Sequence, residues 1–277
     1  MTWKRVATAA VLIPLVVALV LWAPKNLLAA SLAVVIILAL FEFFAIGEQI
    51  GHRGYRLWTC TCSVILIFAL ANAVSPRAED FVSRKGAASH LLLQHPLITP
   101  LFLFILGLMV LTLGTRRPLV EHLPSLGISS SGFLLIALPM SLAIDLQPKL
   151  LLFTLVLIWA GDTAAYFVGR SLGRWKMAPK LSPNKTWEGA LASMMTSLLV
   201  GWIFTRWTGL ELHRMLVAAA LGNSAGQMGD LLESAYKRSA GVKDSGGLLP
   251  GHGGMLDRID ALIFAVPVVW YYLKLAL

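Results

Sequence analysis

A chain of 277 residues that is 57% hydrophobic and only 13% charged, with a mean hydropathy of +0.76, lies outside the range of water-soluble domains, which carry about 25% charged residues. Apolar stretches near the ~20 residues needed to cross a bilayer recur along nearly its whole length, which excludes a soluble multidomain protein. The net charge of +9 does not mark a nucleic-acid binder, because Lys and Arg fall between apolar runs instead of forming one basic arm; anionic lipid and phosphate-bearing molecules are the partners expected.

In chain order, apolar segments are read at 6–23, 27–46, 57–74, 97–114, 131–147, 150–171, 189–206, 212–233 and 257–276. They predict an all-α, polytopic integral membrane protein of about nine transmembrane helices. The whole of 1–277 is read as one membrane domain, with about four spans in 1–130 and the chemistry in 131–277. Lys4 and Arg5 ahead of the first run mimic a secretory signal, but the run is long for one and further spans follow, so a retained helix is expected. Cys60 and Cys62 sit inside the third segment as buried thiols, since a C-x-C pair neither completes a zinc site nor implies a disulfide framework. Ser75–His95, with charges of both signs, reads as a connector at the outer surface. The fifth segment is short, and the eighth is diluted by Gly222, Asn223, Gly226, Gln227, Gly229 and Asp230. Its Gly222-x-x-x-Gly226 spacing permits close helix packing, within one chain or between two. A cytosolic N-terminus puts 15 of the 23 basic residues on the cytosolic side, as the positive-inside rule favours. The two richest loops, 171–188 and 234–256, then face the cytosol together.

Those loops and the helix starts after them hold the unusual chemistry. On a helix over 212–238, Asp230, Glu233, Ser234 and Lys237 fall at spacings of three and four and share one face. Asp257 and Asp260, at i and i+3 in the first turn of the ninth helix, share another. Helix-dipole complementarity alone would favour acids there. Asp230 at a similar membrane depth adds a third acid, and such a group repels itself unless a cation joins it. An oxygen-only donor set suits magnesium bound through one or two carboxylates plus substrate phosphates. Pro250-Gly-His-Gly-Gly254 reads as a phosphate cradle before a helix N-terminus, or as an ordinary turn. The other loop carries Ser182-Pro-Asn, a turn signal, then Lys185 and Thr186, a candidate helix cap. Asp162, inside the sixth run, is an intramembrane acid of undecided role, functional or packing.

Ser234-x-x-Lys237-Arg238-x4-Lys243-Asp244, followed by Gly251-His252-Gly253-Gly254-x-x-Asp257-Arg258-x-Asp260, closely resembles the signature of the phosphatidate cytidylyltransferase (CDP-diacylglycerol synthase) family. The likeness extends to Ser182–Gly189, to Gly229-Asp230 and to the basic start with its apolar run. The resemblance implies a magnesium-dependent, usually dimeric membrane enzyme that transfers CMP from CTP to phosphatidate, with a second cation possible. It places Lys237, Arg238, Lys243, Asp244, His252 and Arg258 as catalytic residues and Asp230, Asp257 and Asp260 on the metal. Ser182, Lys185, Ser234, Gly253 and Gly254 are then expected to bind substrate, and the bacterial inner membrane is the expected location. The alternatives are a CTP-dependent polyprenol or phytol kinase and, from another class, a transporter with a broken eighth helix.

Overall fold

The structure, a computed structural model, describes residues 2–73, 95–247 and 253–276, with side chains from residue 10 onward. The connector expected over Ser75–His95 therefore lies outside the described residues except for His95, as do Gly251 and His252. The chain divides into two compact units, one of Ala23–Asp145 and one combining Met1–Trp22 with Leu146–Leu277.

The first unit holds α2 (Lys25–Gln49), α3 (Arg56–Ala71), α4 (Ile98–Gly114) and α5, a composite helix over Leu119–Asp145. Helix α3 packs against both α2 and α4. Trp58 lies over Gly107, where a Cβ would come within 2.0 Å of the indole, and its Nε1 donates to Phe104 O at 3.1 Å. Phe104 stacks on Phe133 with centroids 4.0 Å apart. Polar side chains are tolerated here because they are satisfied locally: Thr59, Ser63 and Ser129 each donate to the carbonyl four residues earlier. Helix α5 begins well before the short segment read at 131–147. In its early turns Ser125, Gly127, Ser129, Ser130, Ser131 and Gly132 dilute the apolar signal of Leu119, Val120, Leu123, Leu126 and Ile128. It runs through a π-helical stretch at Phe133–Ala137 just ahead of Pro139, whose missing N–H interrupts the regular ladder.

The second unit holds α1 (Thr2–Trp22), α6 (Pro148–Ser171), α7 (Trp187–Thr208), α8 (Leu212–Ser239) and α9 (Leu256–Ala276). Helix α6 packs on α7, α7 on α8 and α8 on α9, while α1 rests on α6. The 171–188 stretch contains a small antiparallel hairpin, β1 (Lys176–Ala178) with β2 (Ser182–Thr186), registered Lys176 to Thr186 and Ala178 to Ser182. Ser182-Pro-Asn thus enters a strand, and the turn falls one step earlier, at 179–181. The expected cap is present, with Thr186 Oγ1 accepting from Gly189 N at 3.2 Å. Gly222 and Gly226 serve packing within the chain: added Cβ atoms would meet Val269 at 2.7 Å and Ile158 at 2.6 Å.

Among the described residues, α2, α5, α6, α7 and α9 are each long and apolar enough to cross a membrane, and shorter apolar helices lie at Ala10–Trp22, Arg56–Ala71 and Ile98–Gly114. Along α7, Leu191, Met195, Leu199 and Trp202 are all more than half exposed. A helical stripe of that kind is costly in water and suited to lipid. The protein is an all-α, multi-pass membrane protein. Cys60 and Cys62 are free thiols.

Candidate active site

The polar residues of the second unit gather along the C-terminal half of α8. Helix α8 continues to Ser239, beyond the apolar run read at 212–233, because its final turns trade membrane contact for ion pairs. Two lysine–carboxylate clusters result. In the first, Lys185 from β2 reaches Asp230 of α8, Nζ to Oδ2 2.6 Å, with both side chains a quarter to a third exposed. Ser234, one turn on, donates to Asp230 Oδ1 at 3.5 Å. Asp162 of α6 joins Lys185 and Asp230 in the lining of a cavity of about 280 Å3.

In the second cluster, Lys237 Nζ lies 2.5 Å from Glu233 Oε2 and 2.6 Å from Asp257 Oδ1, with side-chain exposures of only 13%, 4% and 10%. Asp257 also accepts from Ser245 N at 3.1 Å, Ser245 Oγ at 3.0 Å and Gly254 N at 2.8 Å. The acid of the first turn reaches back to the chain ahead of the helix, as in a capping box. Gly253, at φ +77°, adopts a backbone conformation that suits glycine, and a Cβ there would stand 2.7 Å from Asp257 Oδ2. The signature glycine and aspartate are thus fitted to one another.

These contacts bear on two of the expected roles. Lys237, expected among the catalytic residues, has its ammonium between two carboxylates, Glu233 on α8 and Asp257 on α9. Asp257, expected on the metal, takes protein donors on both its oxygens, as Asp230 does from Lys185 and Ser234. Asp260, one turn further, accepts from Ala261 N at 2.7 Å. Asp260 lies within electrostatic reach of Asp230 and Asp162. Gly229 makes that approach possible, since a Cβ there would fall 2.5 Å from Asp260 O. Among the described residues no three carboxylate, imidazole or thiol groups close on one point as a complete metal cage. Asp230 and Asp260 still fit a magnesium ion that takes one or two carboxylates and fills its other positions with water and phosphate oxygens.

Arg238 ties the end of α8 to the hairpin and its own loop, donating to Leu181 O and Val242 O at 3.4 Å each. Arg258 is exposed and lies within electrostatic reach of Asp162. Lys243 and Asp244 are exposed on the loop after α8, and Ser182 is half-buried in β2. Three further residues belong to the site. Glu233 was legible from its i, i+4 spacing to Lys237. Glu188 accepts from Arg174 N at 2.9 Å and Trp175 N at 3.2 Å, fixing the hairpin to α7. Ser245 had no distinguishing sequence signal.

Fold and site together define a multi-pass membrane enzyme whose paired acidic and basic groups are suited to phosphate chemistry at one end of a helical bundle. Residues 3–276 match the Cytidylyltransferase family, and the chain belongs to that family. It is 35% identical over 268 residues to the phosphatidate cytidylyltransferase of Synechocystis sp., an alignment that covers 90% of this chain and 88% of that protein. Over shorter stretches it is 43% identical to the phosphatidate cytidylyltransferase of Haemophilus influenzae and 44% identical to that of Bacillus subtilis, in each case across 44% of this chain. The matched part spans less than half the length of those two relatives, 45% and 46%.

Proposed function

We propose that this chain transfers the cytidylyl group of CTP to phosphatidate, giving CDP-diacylglycerol and pyrophosphate. The observation that carries the reading is the convergence of Lys185 on Asp230 beside the Asp260 turn of α9, within a chain matched to the Cytidylyltransferase family over nearly its full length.

Phosphatidate carries a phosphomonoester whose second pKa is about 6, so at neutral pH it is mostly a dianion and already nucleophilic. One of its oxygens attacks the α-phosphorus of CTP, the bond from that phosphorus to the bridging oxygen breaks, and pyrophosphate leaves with the electron pair. No general base is needed. The barrier lies in bringing a dianion against a triphosphate, so the site must supply positive charge and in-line placement. Lys185, Arg238, Lys243 and Arg258 supply charge, and Lys237 with Asp257 holds α8, α9 and the intervening loop in register. A magnesium ion on Asp230 and Asp260 would neutralise phosphate charge when bound.

The finer reading has nine spans, the N-terminus and both loops on the cytosolic side, the bacterial inner membrane as location, and a homodimer. The bias of basic residues and the family resemblance support it. Cysteine labelling from one side of sealed vesicles tests the orientation; labelling of position 243 only from the periplasmic side would sink it.

Purified protein given CTP labelled at the α-phosphate, phosphatidate and magnesium is expected to yield labelled lipid and pyrophosphate. Formation instead of CDP and a phosphorylated alcohol, on supply of a polyprenol, would replace this reading with a kinase.

A further inference from the structure

The 280 Å3 cavity lies among α6, β2, the start of α7 and α8, and its hydrogen-bonding character is set by a buried amide chain. Ser197 Oγ donates to Leu157 O at 3.5 Å, leaving its lone pairs to accept from Asn223 Nδ2 at 2.8 Å. The same nitrogen donates to Ser193 Oγ at 2.7 Å. Asn223 Oδ1 must therefore accept, and it does so from Gln227 Nε2 at 2.6 Å. The second N–H of Gln227 goes to Ala190 O at 3.3 Å. With both donors spent, the group that Gln227 has left for a ligand is its carbonyl oxygen. Gly161 lets α6 close over the network, because a Cβ there would stand 2.6 Å from Ser193 Oγ and 3.1 Å from Asn223 Nδ2.

Gln227, Asp162 and Asp230 thus give the helical walls acceptors, while Lys185 and the Asn184 amide bring donors from β2. The two substrates differ in what they offer such walls. The glycerol esters and dianionic phosphate of phosphatidate carry acceptors only. The nucleoside half of CTP carries donors, the exocyclic amine of cytosine and the ribose hydroxyls. We propose that this cavity takes the nucleoside half of CTP, with Gln227 Oε1 accepting from the cytosine amine and the Tyr166 ring giving the base a surface to stack on. This rests on CTP being the nucleotide used.

Tyr166 lines the cavity, remains 57% exposed and is held through its hydroxyl by Arg170 at 2.7 Å. The size suits a base and part of its sugar, at the small end of the ~300–1,000 Å3 typical of ligand sites. The axial distance also suits CTP: from Gln227 to Arg238 α8 rises about 16 Å, enough for an extended nucleoside triphosphate. Uracil would set a carbonyl against the Gln227 carbonyl with no proton between them, so Gln227 is a specificity-determining residue, and Asn223 and Ser197 position it.

The test uses the full chain in detergent, with two readouts. Steady-state kinetics give separate constants for CTP and phosphatidate, and calorimetry gives binding of CMP and UMP without turnover. In Gln227→Met the KM for CTP is expected to rise about tenfold or more, with the KM for phosphatidate within about twofold and the CMP preference over UMP largely lost. Tyr166→Ala, on an exposed ring, is expected to weaken CMP roughly tenfold and keeps the test open if the first variant misfolds. A raised KM for phosphatidate with CMP preference intact would overturn the assignment and give the cavity to the lipid headgroup. A wild-type chain that prefers CMP, loses that preference in Gln227→Met, and makes no CDP-diacylglycerol would leave the cavity assigned and sink the reaction.

Discussion

The two lysine–carboxylate clusters look alike in sequence and are built for opposite ends. At Lys237 an ammonium sits between two carboxylates with all three side chains at most 13% exposed, and Asp257 takes further bonds from Ser245 and Gly254. At Lys185 a single pair, a quarter to a third exposed, borders a cavity. Buried charge completed by protein donors has little left for a ligand; charge left partly open has. On the proposed reading the first cluster holds the site's shape and the second meets substrate.

The largest effect should come from breaking the closed cluster. Lys237→Met leaves Glu233 and Asp257 buried without their shared cation, and loss of one member of a buried pair typically costs about 3–5 kcal/mol. The expected result is a strongly lowered melting temperature together with lost activity. A melting curve unchanged in detergent would mean that this cluster is open to water or ligand and the contrast is false.

Asp230→Asn cuts the other way. It removes charge from the open cluster while keeping shape and one acceptor, so the fold should hold while kcat falls about 100-fold, the scale seen when one transition-state electrostatic partner is removed. Asp257→Asn beside it should lower thermal stability as well as activity. If the two variants melt alike, the division of labour drawn above fails.

How much of this was readable in advance differs between the clusters. Helix-period spacing put Asp230, Glu233, Ser234 and Lys237 on one face, and the structure keeps them there, because i and i+4 positions must be neighbours on any helix. Thr186 as a cap was legible for the same local reason. Partners across the fold were not: nothing in the spacing says that Lys237 would choose Asp257, or that Ser245 would join it. Asp257 and Asp260 looked equivalent at i and i+3, yet Gly254 and Ser245 close around the first and Gly229 opens an approach to the second. The hairpin at 176–186 was missed because Ser182-Pro-Asn has turn chemistry, while the strand pair is held by contacts no local pattern shows, Glu188 on Arg174 N and Trp187 N on Trp175 O. Helix α5 was read short because small polar residues dilute its first turns, where Ser129 satisfies its hydroxyl on the Ser125 carbonyl within the helix.

A smaller effect should sharpen the comparison by moving the helices that carry both clusters. Gly229→Ala places a Cβ 2.5 Å from Asp260 O, a backbone atom that cannot swing aside, so α8 and α9 must part slightly. Overpacking of this kind costs about 1–3 kcal/mol. The expected signature is a modest drop in melting temperature with a disproportionate loss of magnesium-dependent turnover, visible as a higher magnesium concentration for half-maximal rate. An unchanged magnesium requirement would separate Asp260 from the metal.

The smallest effect belongs to Thr186, whose hydroxyl oxygen caps α7 through Gly189 N and is packed against Gly169 and Gly173, where added Cβ atoms would meet Thr186 Oγ1 at 3.1 Å and 2.8 Å. Loss of an N-cap typically costs about 1 kcal/mol, so Thr186→Ala should shift the melting curve only slightly. Lys185 is the preceding residue on β2, however, and loosening the strand–helix junction frees its side chain from a fixed distance to Asp230. The open cluster depends on that junction and the closed one does not. Thr186→Ala should therefore raise KM for the nucleotide severalfold while Thr186→Ser, which keeps the accepting oxygen, restores it; equal behaviour of the two variants would show that the methyl packing, and not the cap, sets Lys185.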